Sequence, residues 1–208
     1  MTRPSIDFWF EFASTYSYLT AMRIDVHAAA IGVDVRWRPF LLGPIFAGQG
    51  WSTSPFNIYP AKGRYMWRDM ERQCRRAGLP LARPDPFPQN GLLAARVALV
   101  GLAGEFAGDW GPAFVRRVYK AEFGEGRNIG EESVVAELLL DVYQDPEIVI
   151  ERALAPQNKA LLKSETEEAM ARGIFGAPSF LTEDGELFWG NDRLDEALEW
   201  AAGERGAL

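Results

Sequence analysis

Apolar and polar residues alternate from Ser5 to Phe12, with Ile6, Phe8, Phe10 and Phe12 in one phase and Asp7, Trp9 and Glu11 in the other. A period of two is the signature of a β-strand. Residues 13–17 break the alternation, and Tyr18–Ala30 then reads as a helix stopped by Gly32. Val33–Arg38 alternates again and ends at Pro39. Strand, helix and strand in so short a span predict two parallel strands joined by a right-handed crossover.

Phe40–Pro60 is rich in Gly, Ser and Pro and keeps no period, which predicts a long loop. Such a loop inside a compact domain is usually functional or mobile. Lys62–Ala77 reads as a helix closed by Gly78 and Pro80, and Arg83–Asn90, with three prolines, as a second loop. Gly91–Ala103, Pro112–Glu122, Glu131–Tyr143, Pro146–Ala153 and Pro156–Arg172 follow as helices, the last stopped by Gly173. Pro112 and Pro146 suit first helical positions, and Asp145 suits the cap before Pro146. Ser179–Thr182 and Leu187–Trp189 read as a hairpin around the Asp-Gly pair of Glu183–Glu186, and Asp192–Ala202 as a closing helix.

The β-α-β beginning and the α-β-β-α ending combine into an α/β thioredoxin fold. On this reading residues 1–39 and 156–208 form a thioredoxin-like domain, and residues 40–155 an all-helical insertion domain.

Composition narrows the chemistry. The 208 residues are 48% hydrophobic and 25% charged, enough for a sizeable core in a soluble protein. The aromatic residues can fill that core and also line a pocket. A net charge of −7 argues against a nucleic-acid groove, which needs a basic face. No apolar run reaches the ~18–20 residues that span a bilayer, and residues 1–13 lack the pattern of a leader, so a cytoplasmic protein is expected. Cys74 is the one cysteine and His27 the one histidine, which excludes an internal disulfide and a CxxC motif. Nor do they supply a spaced set of zinc ligands. His27, in an alanine-rich stretch, reads as a helix-face residue.

Two short segments draw attention. Phe12–Leu19 turns the first strand into its helix. In a thioredoxin fold that turn presents a residue, here Ser14, where free N–H groups favour an anion. Gly176–Ser179 precedes the third strand, at the position of the fold's cis-proline loop. Taken alone, Ser14 and Ser17 also read as helix caps, as do Asn191 and Asp192, and Lys62 as a solvated lysine at a helix start.

Five stretches in the right order make the chain resemble the 2-hydroxychromene-2-carboxylate isomerases, relatives of the kappa-class glutathione transferases in the DsbA-like group. They are Phe10–Leu19, Trp37–Gly43, Pro60–Met66, Gly173–Phe180 and Phe188–Leu194. The resemblance implies glutathione as cofactor, with Ser14 contacting its sulfur. A serine hydroxyl forms no mixed disulfide, but it donates a hydrogen bond to a thiolate. A free thiol titrates near ~8.5, and a helix N-terminus lowers that value. By the same resemblance the backbone of Ala177, before Pro178, pairs with the cysteinyl part, Asn191 and Asp192 hold the γ-glutamyl end, and Lys62 reaches the tripeptide. A homodimer is implied as well. Two positions depart from the pattern. Thr15 stands where many relatives have proline, and an asparagine that contacts glutathione falls by spacing at Thr53, with Asn57 close by.

The reaction implied interconverts 2-hydroxychromene-2-carboxylate and trans-o-hydroxybenzylidenepyruvate, a step of naphthalene degradation, by reversible thiolate addition to a conjugated double bond. The pocket for this small aromatic acid is expected between the thioredoxin part and the helical insertion, with Phe40, Arg64 and Tyr65 as lining residues and Trp51, Met66 and Trp67 as further walls. Two rival readings remain open on sequence: a kappa-like transferase or peroxidase that consumes glutathione, and a non-catalytic thioredoxin-like module that binds glutathione or a peptide.

Overall fold

The computed structural model describes residues 3–106 and 109–203. The outer limits expected at residues 1 and 208 lie outside them.

Four strands form one sheet in the order β2-β1-β3-β4. β1 (Ser5–Phe10) and β2 (Asp34–Pro39) run parallel, with Ser5 opposite Asp34 and Phe10 opposite Pro39. β3 (Ser179–Thr182) is antiparallel to β1, and β4 (Leu187–Trp189) antiparallel to β3. This is the thioredoxin order. It arises because the β1–β2 crossover is helical, whereas β3 and β4 join through the Asp-Gly turn.

β1 is buried along its whole length, so the sequence alternation does not divide core from solvent. Ile6, Phe8 and Phe10 enter the larger apolar cluster, where Phe8 stacks on Phe180 with ring centroids 5.7 Å apart. Trp9 points the other way, into a smaller cluster with Phe40, Ile45, Ala169, Ile174 and Leu181. Covering both faces of a central strand is what allows a tryptophan in the phase that looked polar.

The crossover holds two helices, α1 (Thr15–Ala21) and α2 (Ile24–Ala30), not one helix over Tyr18–Ala30. The chain leaves helical dihedrals at Arg23, whose guanidinium bonds to Asn191 far along the sequence. The span 40–60 is also more ordered than a loop: it holds α3 (Leu42–Gly48) and α4 (Pro55–Ile58). Ile45 anchors α3 in the smaller cluster, and Ser54 caps α4 by accepting from Phe56 N–H at 3.3 Å. Both helices are too short for a periodic pattern to reveal.

Then come α5 (Pro60–Ala77), α6 (Leu92–Leu102), α7 (Gly111–Tyr119), α8 (Glu132–Leu140), α9 (Pro146–Leu154) and α10 (Pro156–Ala171). A π-helical turn, Lys120–Gly124, extends α7. Asp145 caps α9 as expected, accepting from Glu147 N–H at 3.0 Å and Ile148 N–H at 3.4 Å. The last helix, α11 (Leu194–Ala201), follows a tight 3₁₀ turn at Asn191–Arg193. α4 and α5 pack closely: a Cβ on Gly63 would lie 2.3 Å from the carbonyl oxygen of Phe56. The larger cluster draws on all three spans, with Phe10, Met66, Val97, Phe114, Phe180 and Leu198 among its members. No described helix is long and apolar enough to cross a membrane.

Candidate active site

The turn after β1 is held by one carbonyl. Glu11 C=O accepts from Ser14 N–H at 3.0 Å and from the Tyr119 hydroxyl of α7 at 2.9 Å. This pins Ser14 as the N-cap of α1, where its Oγ accepts from Ser17 N–H at 3.2 Å. Thr15 and Tyr16 occupy the first turn, whose N–H groups have no intrahelical acceptor, the usual basis for anion preference at a helix start. α1 has only seven residues, so these local N–H groups outweigh any macrodipole.

Ser14 Oγ also donates to the carbonyl oxygen of Ala177 at 2.8 Å. The Ala177–Pro178 peptide is cis, and Ser179 Oγ donates to Gly176 C=O at 2.9 Å, closing the loop ahead of β3. The two segments singled out in the sequence therefore face each other directly. They form one wall of a cleft of about 1330 Å³.

Ser14, Lys62, Tyr65, Ala177, Pro178, Asn191 and Asp192 all line this cleft. Lys62 is exposed, with its ammonium 4.8 Å from the centre of the Tyr59 ring. Asn191 is buried at the cleft edge, and Asp192 beside it is open to solvent. Thr53 also lines the cleft, whereas Asn57 does not: its amide donates to the carbonyl of Phe87 at 3.1 Å. Thr15, in place of proline, leaves the turn intact.

Two expected lining residues lie elsewhere. Phe40 has no exposed surface and sits edge-on to Trp9 in the smaller cluster, because the chain passes straight from β2 into the sheet's second face. Arg64 falls on the far side of α5, in a separate shallow groove with Trp67, Arg68 and Arg83. Helical geometry sends neighbouring residues to different faces, so Tyr65 reaches the cleft and Arg64 does not. Met66 is core, and Trp51 is a wall of the cleft, with Phe46 5.7 Å from it.

The structure adds groups that the sequence reading passed over. Glu11 lines the cleft three residues before Ser14. Burial pushes its carboxyl up to about 8, against an opposing backbone hydrogen bond from Ala13. Glu122, in the π-helical turn, is wholly buried, and neither of its oxygens has a hydrogen-bond partner among the described residues. Its carboxyl is held far above the ordinary range by burial and then by Glu11. Burial thus favours the protonated, uncharged form of both acids. The signal for Glu11 was present, an acid just past a strand end and just before Ser14, but its polar phase suggested solvent. Tyr16 also lines the cleft; its hydroxyl is committed to Asp69 Oδ2 at 3.1 Å, and burial followed by Asp69 raises its pKa.

The donor set suits a thiol tripeptide. A hydroxyl and the first-turn N–H groups of α1 lie together at Ser14, a main-chain edge lies at Ala177, and an amide and a carboxylate stand at Asn191 and Asp192. Cys74 lies buried on α5, outside the cleft. Among the described residues no cluster of three or more His, Cys, Asp or Glu side chains is placed to hold a metal ion.

A thioredoxin sheet, a cis-proline loop and a capping serine in place of a redox cysteine define a thioredoxin-fold protein whose cleft cannot form a disulfide of its own. The chain belongs to the DSBA-like thioredoxin domain family, whose family model it matches over residues 5–199. It is 30% identical over 193 residues to a 2-hydroxychromene-2-carboxylate isomerase of Sphingobium xenophagum, covering 92% of this chain and 94% of that protein. It is 25% identical to glutathione S-transferase kappa 2 of Caenorhabditis elegans, covering 96% and 92% respectively. Among solved structures it resembles a selenomethionine form of 2-hydroxychromene-2-carboxylate isomerase, with a TM-score of 0.80, 27% identity, and 96% and 95% of the two chains covered.

Proposed function

We propose that this protein is a glutathione-dependent cis–trans isomerase that interconverts 2-hydroxychromene-2-carboxylate and trans-o-hydroxybenzylidenepyruvate, a step of naphthalene breakdown. The observation that carries the reading is the pairing of Ser14 with Ala177 in a cleft whose lining includes aromatic side chains and no cysteine. Glutathione, when bound, would supply a nucleophilic sulfur that, once the hemiketal ring has opened to the enone, adds reversibly to the double bond, allows rotation about the resulting single bond and is expelled as the alkene reforms.

The chain's own residues have three tasks. Ser14 Oγ, whose proton now goes to Ala177 C=O, turns that proton toward the sulfur and stabilises its charged form, helped by the first-turn N–H groups of α1. Ala177 then has its carbonyl free for the cysteinyl backbone, while Asn191, Asp192 and Lys62 hold the ends of the tripeptide. Phe46, Trp51 and Tyr65 shield the aromatic acid from water on the other side of the cleft. The proposal places the sulfur site in residues 1–39 and 156–208 and most of the aromatic wall in residues 40–155. It takes the protein to be a cytoplasmic homodimer.

The likeness to a kappa-class transferase favours a second reading, in which glutathione is consumed. One assay separates the two. Conversion of 2-hydroxychromene-2-carboxylate is followed by absorbance with and without glutathione while free thiol is titrated. The isomerase gives a rate that requires glutathione and leaves the thiol constant, and a transferase depletes thiol as substrate disappears. Absence of any glutathione-dependent rate would overturn the proposed activity.

A further inference from the structure

Asn191 opens the 3₁₀ turn before α11 and is only 7% exposed. Three donors converge on its side-chain oxygen. Thr20 Oγ1 donates to Oδ1 at 3.1 Å, Arg23 Nε at 3.4 Å and Arg23 Nη2 at 3.3 Å. Arg23 Nη2 also donates to the main-chain carbonyl of Asn191 at 2.6 Å. A guanidinium carries N–H donors and no acceptor, so a flipped amide would set its NH₂ against other N–H groups. Oδ1 is therefore the atom that faces Arg23. Nδ2, hydrogen-bonded to no other described residue, is the atom left for the cleft.

Arg23 is itself held from the outside. Asp195 accepts from its Nη1 at 3.4 Å and also meets His27 Nδ1 at 2.6 Å. The break between α1 and α2 at Met22–Arg23 carries the guanidinium out of the helix toward Asn191. A helix continuous from Tyr18 to Ala30 would lack that departure.

We propose that Arg23 and Thr20 are positioning residues that lock the Asn191 amide with its donor toward the cleft, and so select a ligand that presents an acceptor there, the α-carboxylate of an amino-acid head group. This rests on the glutathione reading and names what fixes that end of the site. Asp192, with its side chain 72% exposed, supplies the complementary acceptor for an ammonium. The locked pair reads a zwitterion in one orientation. An amide free to flip would meet a carboxylate or an amine equally well and would lose that selectivity.

The test is calorimetric binding of two tripeptides: glutathione, and 4-aminobutyryl-cysteinylglycine, which lacks only the γ-glutamyl carboxylate. A hydrogen bond to a charged group is worth about 1.5–3 kcal/mol, so the intact protein should bind glutathione roughly 10- to 100-fold more tightly than the analogue. Arg23→Ala should cut that ratio several-fold while leaving affinity for the analogue unchanged, which also shows that the variant is folded. Thr20→Val should act in the same direction more weakly, and Thr20→Ser should restore the ratio. Because Arg23 also carries charge, the decisive comparison is a double-mutant cycle. In an Asn191→Ala background Arg23→Ala should have no further effect on the ratio. An equal effect in both backgrounds would mean direct electrostatic attraction and overturn the lock, as would an unchanged ratio in Arg23→Ala alone. Failure of the intact protein to bind glutathione at all would instead overturn the cofactor reading, and the lock with it.

Discussion

Ser14 Oγ and the carbonyl oxygen of Ala177 lie 2.8 Å apart, joined by a hydrogen bond between residues 163 positions apart in the chain. The hydroxyl proposed to steady a sulfur and the carbonyl proposed to pair with a peptide satisfy one another. Entry of a thiol peptide therefore exchanges one hydrogen bond for others and does not open a bare polar site.

Ser14→Ala removes both that hydroxyl and the cap of α1. Losing a hydrogen bond to a charged sulfur, about 1.5–3 kcal/mol, should lower the glutathione-dependent rate at neutral pH roughly 10- to 100-fold. The thiolate absorbance of bound glutathione should appear at higher pH than in the parent. Thermal unfolding should register the lost cap, about 1 kcal/mol, and the lost bond to Ala177, about 1 kcal/mol more. An unchanged rate would remove Ser14 from the proposed chemistry.

Stability should fall as pH rises. Glu11 titrates at about 8 in the folded chain against an ordinary 4.5, and Glu122 is shifted in the same direction. Between those values folded Glu11 holds a proton that the unfolded chain has released, so each unit of pH costs up to about 1.4 kcal/mol for that group, and Glu122 acts in the same direction. The contribution is whole below about 4.5 and is lost as pH passes about 8. Urea midpoints measured at several pH values across this window should decline, and Glu11→Gln with Glu122→Gln should flatten the decline. A flat profile in the parent would contradict it.

Arg38 ties β2 to α10. Its Nε donates to Glu165 at 2.6 Å and its Nη2 to Glu165 at 3.1 Å and Glu168 at 2.8 Å, while the guanidinium lies 4.5 Å from the centre of the Trp9 ring. Arg38→Leu leaves a largely buried carboxylate without its partner, which should cost about 2–3 kcal/mol, somewhat under the loss for a fully sealed pair. Adding Glu165→Leu should return much of it, and denaturant midpoints of the single and double variants measure the difference.

Phe40 and Tyr65 should separate core from cleft. Phe40→Ala should destabilise by about 3–5 kcal/mol, the usual cost of deleting a sealed aromatic ring. Tyr65→Ala, at a residue 64% exposed, should leave the melting temperature nearly unchanged and raise KM for the aromatic acid. Similar melting temperatures for the two variants would contradict the burial described here.

How much of this could be read from sequence followed from the range of the forces involved. The strands, the Asp145 cap and the Asp-Gly hairpin are set within a few residues, and all appear where their patterns place them. Ser14 and the Ala177–Pro178 pair were legible because a strand end and a loop before β3 fix them on the sheet. The break at Arg23 was not, because its partner is Asn191. α3 and α4 escaped notice because a helix of one or two turns shows no period. Phe40 and Arg64 were misplaced because adjacency to conspicuous residues says nothing about which face a side chain takes. Glu11 was passed over because an acid in the polar phase of a strand gives no sign that later helices will bury it.

The cleft is assembled from four separated stretches, around residues 11–16, 41–73, 88–92 and 175–193. A chain emerging from the ribosome thus holds Ser14 early but has nothing to set opposite it until Ala177 and Asn191 have been made. On the proposed reading, affinity for glutathione would act as a check that synthesis and folding have both finished, because a truncated or half-folded chain would lack part of the cleft lining.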